Sequence, residues 1–128
     1  MPVEFTIDPA MALVHVVGTG AVTRDEIIAC TTAAVRTWAP VAYFDVLIDV
    51  TGMESFLTYD DLLVVFEEVE HAASFHPRYA IVANRVGLIG GMHLWQIWAE
   101  RLGIQVLITR SEAAALEWLG KPSDGVGA

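Results

Sequence analysis

The most regular alternation of hydrophobic and polar positions lies between residues 44 and 50, where it predicts a central β-strand. Side chains of a strand point alternately to its two faces, so one face is apolar throughout and the other mixes Leu47 with two aspartates. We therefore predict a strand that has its apolar face in the core and ends in a loop. Open α/β sheets bind ligands at the carboxyl ends of their strands. The strand-end loop of Asp49, Thr51 and Gly52 is thus a candidate site.

Two strands and a helix are predicted before this strand. Residues 3–7 alternate and residues 12–17 form an apolar run, and the Asp-Pro turn between them indicates a hairpin. Thr23 and Glu26 stand at the spacing of a capping box, in which each side chain satisfies a free amide of the first helical turn. The pattern therefore predicts a helix from Thr23 to about Trp38.

Three helices and two strands are predicted after the central strand. Thr58 is placed to cap a helix whose first turn is acidic, which suits the positive end of the helix dipole. The remaining elements are a strand over residues 78–84, a third helix from Leu88 or Gly91 to Leu102, a strand over residues 104–109 and a final helix from Ser111 to Gly120. This order predicts an α/β fold with four main helices and a mixed sheet of about five strands, of which only the first is antiparallel. Residues 1–120 form one predicted domain and residues 121–128 a disordered tail.

Composition and charge exclude several classes of partner. The chain of 128 residues carries a formal net charge of −9, which repels nucleic-acid phosphates and anionic lipid surfaces. Its longest uncharged stretch, residues 86–99, is shorter than the roughly twenty residues that a membrane-spanning helix needs. The single cysteine, Cys30, cannot close an intramolecular disulfide, and no signal region opens the chain. We therefore predict a cytoplasmic protein without a transmembrane segment and without a nucleic-acid partner.

The stretch from Leu88 to Trp98 is apolar on nearly every face of its predicted helix. A helix of that kind must be buried all round, and a small subunit in which 55% of the residues are hydrophobic has little room for it. The alternative is a well-filled core with one exposed aromatic side chain. We predict a contact surface for a homodimer or a protein partner, because methionine and tryptophan suit such contacts. Its residues are Leu88, Met92, Leu94, Trp95 and Trp98.

Five short motifs together carry a resemblance to a known family. They are Gly-Ala-Val-Thr-Arg-Asp-Glu at residues 20–26, Leu-Ile-Asp-Val-Thr-Gly at 47–52, Arg-Tyr-Ala-Ile-Val-Ala at 78–83, Gly-Met-x-x-Trp at 91–95 and Val-Leu-Ile-Thr-Arg-Ser-Glu-Ala-Ala-Ala-Leu-Glu-Trp-Leu at 106–119. In this succession the chain resembles the SpoIIAA-like proteins of the STAS superfamily over residues 3–120. The resemblance implies a right-handed β-α superhelix with its helices largely on one side of the sheet, related to the lipid-binding CRAL-TRIO architecture. It implies no established reaction.

Thr58 is the position that the resemblance relates to a phosphorylation site. In the anti-sigma-factor antagonists of the superfamily, that site opens the helix after a strand end similar to residues 48–51. This chain lacks the Asp-Ser-x-Gly sequence of the site itself, and Asp60 and Asp61 would repel a phosphate on Thr58. A helix cap is therefore the favoured interpretation of Thr58, and a phosphoacceptor is the alternative.

Motifs that bind nucleotides or metals are incomplete. The Gly-Thr-Gly sequence at residues 18–20 has Thr23 where a dinucleotide fingerprint needs a third glycine, so it indicates a turn. Gly90 and Gly91 lack the Lys-Ser/Thr of a phosphate loop, although their amides could hold an anion. The four histidines stand in no zinc-binding spacing. We predict neither a metal site nor a cofactor.

Asp49 is the carboxylate for which a special role is most expected, because its position at a strand end favours partial burial. The structural interpretation is that it accepts amide hydrogen bonds from residues 51–53. The alternative is an enzyme in which Asp49 works with a histidine such as His93. Cys30 is expected to pack rather than to react, because its surroundings offer little to stabilise a thiolate.

These observations favour a non-enzymatic, STAS-like regulatory or protein-binding module that self-associates through its third helix. No catalytic residue is assigned. The second hypothesis is a carrier of a small apolar ligand or lipid, motivated by the surplus of apolar residues and by the relation to CRAL-TRIO domains.

Overall fold

The strands and helices follow the order that the sequence predicts. The computed structural model describes residues 3–37, 44–54, 58–72, 78–84, 93, 96–101, 103 and 105–121. The strands are β1 (Val3–Asp8), β2 (Leu13–Gly20), β3 (Asp45–Met53), β4 (Tyr79–Val82) and β5 (Val106–Thr109). The helices are α1 (Arg24–Thr37), α2 (Tyr59–Ala72), α3 (helical at residues 93 and 96–101) and α4 (Glu112–Trp118). None of the described helical segments is long and apolar enough to cross a membrane. The predicted tail, apart from Lys121, lies outside the described residues.

The sheet is mixed, as predicted. β1 pairs antiparallel with β2, and β2, β3, β4 and β5 lie side by side in parallel. The turn of the hairpin is held by Asp8, whose carboxylate accepts a hydrogen bond from the amide of Met11 at 3.2 Å. An aspartate that bonds to the backbone of its own turn is typical of tight turns, which is why the Asp-Pro signal located the hairpin correctly. The handedness of the superhelix stays a prediction.

β2 and β3 run further than the sequence predicts. A β-bulge between Val17 and Thr19 lets their pairing resume, so that Thr19 lies opposite Gly52. The predicted strand end is therefore wrong, and Thr51 and Gly52 belong to β3 rather than to a loop. The two strands approach each other closely here, as the position of Gly52 shows. A Cβ added to Gly52 would lie 3.1 Å from Cγ2 of Thr19.

The sheet carries a separate hydrophobic cluster on each face. On one face, a cluster that includes Val16 and Ile81 is covered by Cys30 of α1, Val65 of α2 and Ala99 of α3. On the other face, α4 is the one described helix that contributes. That cluster consists of Leu13, Leu47, Ala80, Val82, Ala115, Leu116 and Leu119. Three of the four described helices thus lie on one side of the sheet, in keeping with the arrangement that the resemblance implies.

A network of charged groups fastens the last turn of α4 to the amino ends of β3 and β4. Arg78 donates from Nη2 and Nε to the two carboxylate oxygens of Asp45, at 2.8 and 3.2 Å. Its guanidinium also donates to the carbonyl oxygens of Trp118 and Leu119, and Lys121 Nζ lies 3.3 Å from Asp45. Bidentate, charge-assisted hydrogen bonds are strong, and these also satisfy carbonyls that a helix end leaves free. The network fixes the position of α4 over the sheet.

Gly120 ends α4 in a Schellman motif, with a φ of 70°. The amide of Gly120 donates to Glu117 and that of Lys121 donates to Leu116. We expect Gly120→Ala to lower the free energy of unfolding by about 1 kcal/mol, because a Cβ is strained at positive φ. Urea unfolding measures this loss. Gly120→Asn should lose less, since asparagine tolerates the conformation, and an alanine variant as stable as the wild type would contradict the assignment.

Candidate functional site

The apolar surface predicted on the third helix falls largely outside the described residues. The described residues do not include Leu88, Met92, Leu94 and Trp95. Trp98 is half-buried against the cluster that α1 and α2 cover, and its neighbour Ile97 is 49% exposed. A contact surface on this helix therefore stays a prediction.

An apolar groove of about 760 Å³ lies between β1 and α1. α1 contributes small side chains to it, which leaves room beside the strand. Four consecutive residues of β1, from both faces of the strand, take part in the lining, so the groove follows the outer edge of the sheet. Its apolar lining residues are Val3, Phe5, Ala29, Cys30 and Ala33.

β1 is an edge strand of the sheet. Within the described residues no strand pairs with its outer side, so alternate residues direct backbone N–H and C=O groups away from β2. An edge of this kind is a template for another extended chain unless proline, lysine or a covering element blocks it. β1 contains neither proline nor lysine. The groove is therefore bordered by main-chain groups that can form hydrogen bonds with an extended ligand.

Carboxylates are among the side chains that line the groove. Its lining includes Glu4, Asp25 and Glu26. Glu26 is held in the predicted capping box, where its Oε1 accepts a hydrogen bond from the amide of Thr23 at 3.1 Å and its own amide donates to the Thr23 hydroxyl at 3.3 Å. The nearby Arg24 interacts with Asp25 and with a carboxylate of α2. The groove thus combines an apolar floor with a negatively charged rim, which attracts cationic groups.

Cys30 lies on the floor of the groove as a free, buried cysteine. Burial raises the pKa of its thiol, and the Glu4 carboxylate raises it further. The thiolate is the nucleophilic form of cysteine, and a raised pKa favours the protonated thiol instead. Cys30 therefore serves as an apolar lining residue. This agrees with the packing role predicted from the sequence.

A second group of polar side chains lies on the α4 side of the sheet. His15 of β2, Asp49 of β3 and Glu112 of α4 each bring one oxygen or nitrogen atom within 4.8 Å of the other two. The strand register explains this arrangement, since His15 lies opposite Leu47 and Val17 lies opposite Asp49, on the face that α4 covers. His15 Nε2 is 3.5 Å from Glu112 Oε1.

Asp49 has the structural role that the sequence predicts. The histidine near it is not the one that the enzyme hypothesis names. Its Oδ1 accepts hydrogen bonds from the amide and the hydroxyl of Thr51, at 2.9 and 2.7 Å. The hypothesis of an enzyme that pairs Asp49 with His93 finds no support in this geometry. The histidine that approaches Asp49 is His15, whereas His93 Nδ1 lies 3.1 Å from Gln96.

Thr58 caps α2, as predicted. Its hydroxyl accepts a hydrogen bond from the amide of Asp61 at 3.1 Å, and the Asp61 carboxylate accepts one from the amide of Thr58 at 3.2 Å. The two residues form a reciprocal capping pair, and Asp61 also lies 3.5 Å from Arg24 of α1. A phosphate on Thr58 would meet the Asp61 carboxylate. The phosphoacceptor role stays an alternative.

The sequence analysis missed both the groove and the His15 cluster. The groove lies between β1 and α1, which are separated along the sequence by β2. Its sequence signal is the pair of small residues Ala29 and Ala33 on one helical face. The cluster joins three elements, and its signal is a lone polar residue, His15, inside an apolar run. Neither signal is specific without the strand order.

A scan of the chain against protein-family models found no match, and a search of curated proteins found none either. The geometry of the described sites therefore carries the functional argument.

Proposed function

We propose that this protein is a non-enzymatic regulatory or protein-binding module whose β1–α1 groove receives an extended, positively charged segment of a partner protein. The observation that carries the proposal is the apolar groove of about 760 Å³ along an edge strand. The resemblance to SpoIIAA-like STAS proteins supports the regulatory class, and a cytoplasmic location stays part of the proposal.

The form of the groove supports binding by strand addition. An extended segment along β1 would form main-chain hydrogen bonds with the edge of the sheet, and its alternate side chains would enter the space between β1 and α1. The hydrogen bonds supply affinity for any extended chain. The apolar lining, to which Phe5 and Ala33 contribute, supplies a preference for apolar side chains.

Charge selects the kind of segment. Glu4, Asp25 and Glu26 line the groove of a chain whose net charge is −9. Lysine or arginine beside an apolar residue is attracted to such a site, whereas a second copy of this acidic chain is repelled. The occupant we propose is therefore a basic partner. The homodimer predicted through the third helix concerns other residues and is a separate proposal.

A small apolar ligand or lipid is the second candidate for the same groove. Its volume of about 760 Å³ falls in the range of roughly 300–1,000 Å³ that is usual for small-molecule sites, and the relation to CRAL-TRIO domains supports it. The three carboxylates of the rim favour a neutral or cationic ligand over a fatty acid.

Anisotropy of a labelled peptide that alternates valine with lysine tests strand addition. We expect the full chain to bind this peptide, and to bind at least about tenfold more weakly a peptide with glutamate in place of lysine. A third peptide, N-methylated at alternate residues, cannot donate hydrogen bonds along one edge. It should also bind at least about tenfold more weakly, because it can form fewer main-chain hydrogen bonds with the edge of β1.

Two alanine-to-tyrosine variants locate the binding site. Ala29→Tyr places a large side chain in the groove and should abolish peptide binding, whereas Ala113→Tyr places it on the exposed side of α4 and should not change the affinity. Equal binding of all three peptides, or equal affinity of the two variants, would contradict the proposal. Binding of a fluorescent fatty alcohol that Ala29→Tyr abolishes, without peptide binding, would instead establish the second candidate.

A further inference from the structure

We propose that His15, Asp49 and Glu112 bind a divalent transition-metal ion of the zinc type on the α4 side of the sheet. This site lies apart from the β1–α1 groove and differs from the sequence-based expectation of no metal site. Sequence spacing could not indicate it, because the three ligands come from β2, β3 and α4.

The distances between the three side chains suit one ion. In a tetrahedral zinc site with bonds of about 2.0–2.1 Å, neighbouring ligand atoms lie about 3.4 Å apart. His15 Nε2 and Glu112 Oε1 are 3.5 Å apart. The donor atoms of all three residues lie within 4.8 Å of one another, so side-chain movements that shorten the longest separation by at most about 1.4 Å complete the geometry.

His15 Nε2 provides a second, independent observation. This atom is shielded from solvent, and no described residue forms a hydrogen bond with it. Glu112 Oε1 lies at 3.5 Å, which is an ion-pair distance and too long for a strong hydrogen bond. A buried nitrogen without a hydrogen-bond partner destabilises the folded state. Coordination of a cation held between His15, Asp49 and Glu112 would supply the missing partner.

Thr51 orients Asp49 for coordination. Both hydrogen bonds from Thr51 go to Oδ1 of Asp49, so Oδ2 is not engaged by Thr51. Carboxylates that bind metals are commonly fixed by such bonds from outside the coordination sphere. The backbone positions of the ligands are fixed as well, because His15 and Asp49 stand on paired strands and Glu112 opens a helix capped by Ser111.

The chemistry of the three side chains indicates the class of metal. An imidazole favours zinc and its neighbours over magnesium or calcium, and two carboxylates balance a divalent charge. Three protein ligands leave at least one position for water. The ion would tie the first turn of α4 to β2 and β3, just as Arg78 ties the last turn to Asp45.

Zinc titration of the chelator-treated full chain, in competition with a chromophoric indicator, tests the site. We expect one ion per chain, and at least about a tenfold loss of affinity in His15→Gln and in Glu112→Gln. The matched controls are Glu117→Gln, on the exposed side of the same helix, and His93→Gln on α3. Both should bind zinc as the wild type does. Equal loss in the variants and their controls would overturn the proposal.

Two measurements on the wild type test the site without relying on variants. Zinc should raise the midpoint of thermal unfolding, because the ion binds the folded state. Zinc below one equivalent should shift the imidazole resonances of His15 before those of the other histidines. Absence of binding, or a first shift at another histidine, would show that the cluster is only an ion pair.

Discussion

Leu47→Ala should lower the free energy of unfolding by about 3 kcal/mol, the range in which buried leucine-to-alanine changes fall. Leu47 is 0% exposed and lies at the centre of the cluster that joins the sheet to α4. Four of the seven buried residues in that cluster are leucines, so α4 cannot shift to fill the space left by Leu47 without losing its packing against Ala80.

Chemical denaturation measures this loss, and Ile97→Ala is its control. Ile97 is 49% exposed, so its truncation should cost less than about 1 kcal/mol. If Leu47→Ala lost no more stability than Ile97→Ala, the α4 side would not be a packed core. The position of Glu112 beside His15 would then lose its structural basis.

Alkaline conditions should destabilise the protein through Tyr79. Burial raises the pKa of Tyr79 from 10.0 to about 12. Below pH 10 the tyrosine is protonated in both the folded and the unfolded state, so it contributes no pH dependence. Between pH 10 and about 12 only the unfolded state releases the proton, and stability falls as the pH rises. A difference of about two units corresponds to about 2.7 kcal/mol.

Comparison of the wild type with Tyr79→Phe isolates this contribution. The free energy of unfolding of the wild type should fall more steeply above pH 10 than that of the variant, while below pH 10 the difference between them should be constant. Subtracting the free energy of unfolding of the variant from that of the wild type at each pH removes the contribution of Cys30, whose pKa is also raised and which is present in both proteins. Identical slopes for the two proteins would show that the Tyr79 hydroxyl is accessible to water.

Local signals in the sequence were sufficient to predict the order of the elements. The capping residues Thr23, Thr58 and Ser111 mark three helix starts, and each makes the expected hydrogen bond with its own helix. Gly120 marks the end of α4 for an equally local reason. Periodicity and capping depend on residues only a few positions apart, so both can be recognised in a single sequence.

The strand boundary and both sites depended on contacts that a sequence does not display. The bulge after Val17 prolongs β2 and β3 because each supplies the other with hydrogen bonds. The enzyme alternative paired Asp49 with a histidine such as His93, and the parallel order of β2 and β3 places His15 near Asp49 instead. The groove is a property of the space between β1 and α1, which no spacing rule describes.

Residue-level hydrogen–deuterium exchange of the full chain, with and without the valine–lysine peptide, tests the central proposal most directly. The account predicts slower exchange of alternate amides in β1 (Val3–Asp8) and no change in β5 (Val106–Thr109), the other edge of the same sheet. Unchanged exchange in β1 at saturating peptide, or protection at β5 instead, would contradict binding by strand addition in the groove.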